Sequence, residues 1–195
     1  MSKQENSKRV ITPIARLSYP YLFHKSEGMN GGEGKYQCEL IFDSGDDLSD
    51  LKRAANEAAR DKWGDKVPKN LRTPFRQGDE DREGKDGYDG SVFIGARTKD
   101  KPGVVVGPNR EPCTEESDVY GGCWVKASVT AFAYDQAGNK GVSFALNNVW
   151  KIRDGEPFGS RRNAGEEFST EEIDEDAFAS GDSFEFGANS ESSLL

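Results

Sequence analysis

Hydrophobic and polar positions alternate through VITPIARLSY, residues 10–19, where Ile11, Ala15 and Leu17 fall on one side and Thr12, Arg16 and Ser18 on the other. That period of two predicts a strand with one buried face. Pro13 cannot donate to a ladder, so the strand is an edge strand or a bent one. After a loop rich in glycine, KYQCELIF (35–42) repeats the period with Tyr36, Cys38, Leu40 and Phe42 on one face, a second strand. Residues 46–62 change to the helical period. Leu48, Leu51, Ala55 and Ala58 form a stripe, with Asp46, Asp47 and Asp50 at the start and Arg60 and Lys62 at the end, as the helix dipole favours. Gly64 to Gly90 is dominated by Gly, Asp, Pro and Lys around LRTPFR, the composition of a long unpacked loop.

SVFIGART (91–98) is a third strand and PGVVVG a short fourth. The longest pattern is a hairpin: 119–134, the turn DQAGN, and 140–152. Five or six strands with one amphipathic helix and long loops define a mainly β protein, for which an OB-like small barrel is one solution.

The two faces of the first hairpin strand differ in kind. Val119, Cys123, Val125, Ala127, Val129, Ala131 and Ala133 suit an interior, whereas Tyr120, Trp124, Lys126, Phe132 and Tyr134 project from the opposite face with Ser128 and Thr130 between them. The third strand repeats this, with Val92, Ile94 and Ala96 inward and Phe93, Arg97 and Lys99 outward. Rings interleaved with cations are what a single nucleic-acid strand requires, since each stacked base contributes about 1–3 kcal/mol whatever its identity. Arg16 on the first strand and Arg72, Phe75 and Arg76 in the long loop extend the same surface. A second arrangement fits the same pattern: the outer rings are covered by the helix or the long loop as a two-sided core, with Phe75 plugged into the barrel.

The charge is divided along the chain. The net charge is −9, yet residues 163–195 hold ten acidic residues and no Lys or Arg, leaving 26 basic and 25 acidic residues in 1–162. The expected organisation is a binding domain over 1–162 and a disordered acidic tail over 163–195, whose apolar residues, Phe178, Phe184 and Phe186 among them, are too scattered for a core. Cys38, Cys113 and Cys123 are odd in number, lack CxxC spacing and follow no signal peptide, so a reducing compartment is expected and a disulfide framework is not. No apolar run approaches the ~20 residues of a membrane span.

Catalytic chemistry has little to stand on. His24 is the only histidine, which removes multi-histidine metal sites and histidine-based triads, and GVVVGPNR lacks the spacing of a phosphate loop. No cofactor or metal is expected. A Mg²⁺-dependent nuclease built on Asp79, Glu80 and Asp81 is one rival reading; a structural or interaction β-barrel with no affinity for nucleic acid is another.

ITPIARLSYPYLF, GGEGKYQCELIF, LRTPFRQGDEDREG, the block from VYGGCWVKASV to ALNNVWKIRDGEPFG and the acidic tail resemble, in order and wording, a family of phage single-stranded DNA-binding proteins. The resemblance spans about residues 8–162. It implies an OB fold, a non-enzymatic protein that binds and protects single-stranded DNA without sequence preference, and service in phage DNA replication or recombination in the bacterial host cytoplasm. It also implies that the acidic tail recruits replication or recombination proteins. Tails of this kind often finish on an aromatic residue, whereas this one ends ESSLL with Phe184 and Phe186 further in.

Overall fold

The computed structural model describes residues 8–28, 31–136 and 138–159. In chain order the elements are β1 (Arg9–Ile11), β2 (Ala15–Tyr21), β3 (Tyr36–Asp43), α1 (Ser49–Trp63), β4 (Phe75–Gln77), the short helix α2 (Gly78–Asp81), β5 (Ser91–Thr98), β6 (Gly103–Val106), β7 (Glu111–Pro112), β8 (Trp124–Gln136) and β9 (Asn139–Arg153). Five strands pair in a closed circuit. β8 joins β2, β2 joins β3 and β3 joins β5, all antiparallel; β5 runs parallel to β9, and β9 returns antiparallel to β8. This ring of strands is the closed β architecture expected, with β1, β4, β6 and β7 attached outside the circuit.

The interior follows the period of two. Leu17, Cys38, Leu40, Phe42, Ile94, Ala96, Val125, Ala127, Val129 and Phe144 are buried in one cluster. Full burial of a side chain such as Leu40 or Phe144 contributes about 1.5–3 kcal/mol. Burial also pushes the Cys38 thiol up to about 12, with the charge of Glu39 adding to the effect, so it remains protonated. Helix α1 lays Leu51, Ala54, Ala55, Ala58 and Ala59 onto this cluster. Asp47 accepts the Ser49 amide at 2.9 Å, which holds its carboxyl below the usual range.

Three expectations need correction. Ile11 is not on the buried face: the chain breaks between β1 and β2 around Pro13, so Val10 and Thr12 turn inward and Ile11 is 69% exposed. Thr12 is fixed there by two bonds to Ala127, its amide donating to the carbonyl and its hydroxyl accepting the amide. Second, β8 begins at Trp124, leaving Val119 to Cys123 before the hairpin. Third, the segment 64–90 is not an unpacked loop. Part of it forms β4 on the edge of β5, and Tyr88 is buried against the outside of the sheet. A feature on which the sequence reading was silent is that β9 changes inward parity partway. Asn147 is an extra residue opposite β8, so Leu146 and Val149 both point in, and its amide donates to the Thr130 hydroxyl at 2.9 Å.

Candidate nucleic-acid interface

A groove of about 690 Å³ opens on the outer side of the sheet where β4, β5, β8 and β9 meet. Arg97 and Lys99 reach it from the end of β5, Phe132 and Tyr134 from β8, and Arg72 and Arg76 from the segment leading into and through β4. Six residues expected on one surface from the sequence thus reach one groove, and a seventh, Phe93, lines it as a covered ring. The walls are held by backbone. The Arg72 amide donates to the Lys140 carbonyl at 3.0 Å and its carbonyl accepts from Val142 at 3.1 Å. Gly141 makes room for both sides, because a Cβ there would lie 2.5 Å from the Tyr134 hydroxyl and 2.9 Å from the Arg72 Cβ.

Phe132 is 43% exposed. Lys35, preceding β3, adds a fifth cation that the sequence reading passed over, although it shares parity with the outward residues of that strand. Among the described residues, none of Lys35, Arg72, Arg76, Arg97 and Lys99 is ion-paired. Unpaired cations give up no carboxylate to take a phosphate, and rings beside them offer faces to bases.

Two expected rings are covered: Phe93 lies at the groove's buried margin, and Phe75 faces the interior. Phe93 points outward, as its parity requires, but is fully buried, in a second cluster with Ile41 and Tyr88 against which Phe158 packs. Tyr88 meets it edge-on with centroids 5.1 Å apart. Phe75 points inward because β4 pairs it with Ile94, and it lies edge-on to Phe144 at 6.0 Å; its neighbour Arg76, opposite Phe93, takes the outer face. For these two rings the covered arrangement is the one realised.

The cover over Phe93 is locked by a polar triad. Arg82 donates to both oxygens of Glu39, at 3.2 and 2.5 Å, and the Tyr88 hydroxyl donates to Glu39 as well. The Glu39 carboxylate raises the pKa of Arg82, and burial followed by the same hydrogen bond raises that of Tyr88. Neither Glu39 nor Arg82 was read from the sequence as part of a site.

Trp124, Arg16 and Tyr120 gather away from the groove. Arg153 lies over Trp124 at 4.6 Å, and Arg16 stands 5.6 Å from Trp124 and 4.4 Å from Phe158. Arg16 donates to the Glu156 carbonyl at 2.8 Å. Tyr120, in the segment before β8, packs on the interior cluster and its hydroxyl donates to the Gly155 carbonyl at 2.9 Å. Lys151 lies over that ring and pairs with Asp154 at 2.7 Å. Burial works to lower the Lys151 pKa, but the Asp154 hydrogen bond and charge outweigh it and the net shift is upward. Lys126 is on β8 opposite Trp150. These side chains tie the C-terminal end of the described chain to the sheet.

On the other side of Arg97, a cavity of about 220 Å³ is bounded by Tyr19, Gln37, Glu39, Arg82 and Gly95, and a third of about 600 Å³ follows beside Tyr21, His24 and Phe158. Asp79 has a structural task, accepting the Gly90 amide at 2.7 Å, while Glu80 and Asp81 are exposed on α2. Among the described residues no three His, Cys, Asp or Glu side chains are grouped to hold a metal. Phe178, Phe184 and Phe186 lie outside the described residues. No described helix is long and apolar enough to cross a membrane.

A small closed sheet with a cationic, ring-lined groove on its outer face defines the class: a mainly β protein with a ring of strands and one main helix. The chain belongs to the family described as Enterobacter phage Enc34, ssDNA-binding protein, whose model matches residues 8–178. It is 32% identical over 170 residues to protein p50 of Acyrthosiphon pisum secondary endosymbiont phage 1, covering 82% of this chain and 89% of that one. Among solved structures it is similar to the single-stranded DNA-binding protein of bacteriophage Enc34 in complex with ssDNA, at 25% identity and a TM-score of 0.68, covering 82% of this chain and 96% of the other. The fold is also that of gp2.5, the single-stranded DNA-binding protein of bacteriophage T7, at 14% identity and a TM-score of 0.54 over 86% of this chain and 96% of that one.

Proposed function

We infer that this protein binds single-stranded DNA without sequence preference, protecting it during phage DNA replication or recombination in the bacterial host cytoplasm. The observation that carries the reading is the groove in which Arg72, Arg76, Arg97 and Lys99 surround Phe132 and Tyr134, with no acidic partner among the described residues. Phosphates pair with the cations and unpaired bases stack on the rings, so affinity needs neither base identity nor a catalytic step. Membership of a family of phage ssDNA-binding proteins supports the same reading.

The domain comprises residues 1–162, and residues 163–195 form an acidic arm that meets replication or recombination proteins through Phe178, Phe184 and Phe186. Joined to the domain by the chain itself, such an arm also competes with DNA at high effective concentration. The test titrates labelled oligo-dT and a blunt duplex of equal length against the protein at several salt concentrations, with and without Mg²⁺. Strong preference for the single strand, weakening with salt and leaving the DNA intact with Mg²⁺, is expected. Equal duplex binding would sink the stacking groove, and Mg²⁺-dependent cleavage would revive a nuclease.

A further inference from the structure

Two features on the outer side of β2, β3 and β5 have no structural cause in the fold. Gly95 sits mid-strand in β5, opposite Glu39, between outward Phe93 and Arg97. It is not among the positive-φ residues, and a Cβ there would meet nothing within 4 Å. Neither backbone conformation nor packing demands glycine, and a glycine inside a strand weakens it unless something approaches the bare backbone. Tyr19 is the second feature. A bulge between Ser18 and Tyr21 places it at φ 46°, a region costly for a residue with a side chain, and leaves its ring 44% exposed. Arg82, clamped by Glu39, holds its guanidinium 5.7 Å from the ring centroid.

These features share one path. The 690 Å³ groove and the 220 Å³ cavity have Glu39, Gly95 and Arg97 in common, and the 220 and 600 Å³ cavities have Tyr19 and Tyr21 in common. We propose that a DNA strand leaving the groove crosses the bare backbone at Gly95, with a phosphate on Arg97, and stacks a base on Tyr19. This rests on the single-stranded DNA reading and gives it a direction across the sheet. Glu39 does not repel the strand, because its charge is spent on Arg82. The strained backbone at Tyr19 is then explained as the cost of presenting a ring to the strand rather than to the core.

The experiment measures anisotropy with labelled oligo-dT of about 4 and about 12 nucleotides, lengths within the range one such domain covers. The proteins are wild type, Gly95→Leu, Tyr19→Gly and Tyr19→Phe, each checked for native circular dichroism. Wild type should bind both lengths, the longer more tightly. Tyr19→Gly, which suits the positive φ and lies outside the groove, should match wild type on the short strand and lose about 5- to 100-fold on the long one, the equivalent of one base stack, while remaining folded, and Tyr19→Phe should keep the affinity. Gly95→Leu, at the border of groove and cavity, should lose at least as much on the long strand. Should Gly95→Leu fail to fold, the Tyr19 pair decides. If the folded variants bind the long strand like wild type, the path over Gly95 is wrong and the groove stands; if wild type binds neither length, the groove itself is wrong.

Discussion

β3 and β5 present one continuous outer face whose two halves have opposite fates. At one end Ile41 and Phe93 are sealed beneath Tyr88 and Phe158; at the other Gly95, Arg97 and Lys99 open into the groove with Phe132 and Tyr134. Strand parity is the same throughout. What differs is the cover, supplied by residues 78–90 and 155–159, and the triad of Glu39, Arg82 and Tyr88 stands at the border. Pairing on a sheet decides which way a side chain points, and segments distant in sequence decide whether water or DNA can reach it.

The largest effect should come from the sealed half. Phe93→Ala removes a fully buried ring and is expected to cost about 3–5 kcal/mol of stability in urea unfolding, with single-strand affinity of the folded fraction near wild type. A large affinity loss at unchanged stability would place Phe93 in the interface after all. On the open half, Phe132→Ala should do the reverse, losing about 1–3 kcal/mol of ssDNA affinity by anisotropy with little change in the unfolding midpoint.

The outward residues of β5 and β8 were legible because period two survives any packing. From the sequence Phe75 suits either the outer surface or the barrel interior, because nothing in LRTPFR announces that it will pair with Ile94 and join β5 as an added edge strand. Tyr19 was invisible for a related reason: a bulge exists only relative to the strand beside it, here β3. The interior of β8 was read correctly from Val125 to Ala131, since small and apolar residues at every second position admit few alternatives.

Smaller effects sharpen the contrast between cations. Arg97→Ala and Lys99→Ala should each reduce the slope of log affinity against log salt by about 0.7, the share of one phosphate contact on a single strand. Lys151→Ala, removing a cation already paired with Asp154, should leave that slope unchanged. Identical slopes for all three would separate the groove from the phosphate path.

An effect confined to alkaline solution concerns Cys38, inward on β3 beside outward Glu39. Its thiol is raised from 9.0 to about 12, so the folded state keeps a proton that the unfolded chain releases. The stability this provides is complete below pH 9 and is lost as pH climbs towards 12. Urea midpoints measured from pH 8 to 11 should therefore fall less steeply for Cys38→Ala than for wild type. Parallel curves would mean that the thiol is not the group responsible.

The closure of the ring bears on how the chain folds. β2 pairs Arg16 with Trp124, and β9, the last of the described strands, is the one that joins both β8 and β5. Until β9 has left the ribosome, β5 lacks its parallel partner and β8 its hairpin mate, so the interior has no walls on that side. Contacts so distant in sequence slow the search for the native state, and refolding on the millisecond-to-second scale of non-local β domains is the kinetic consequence.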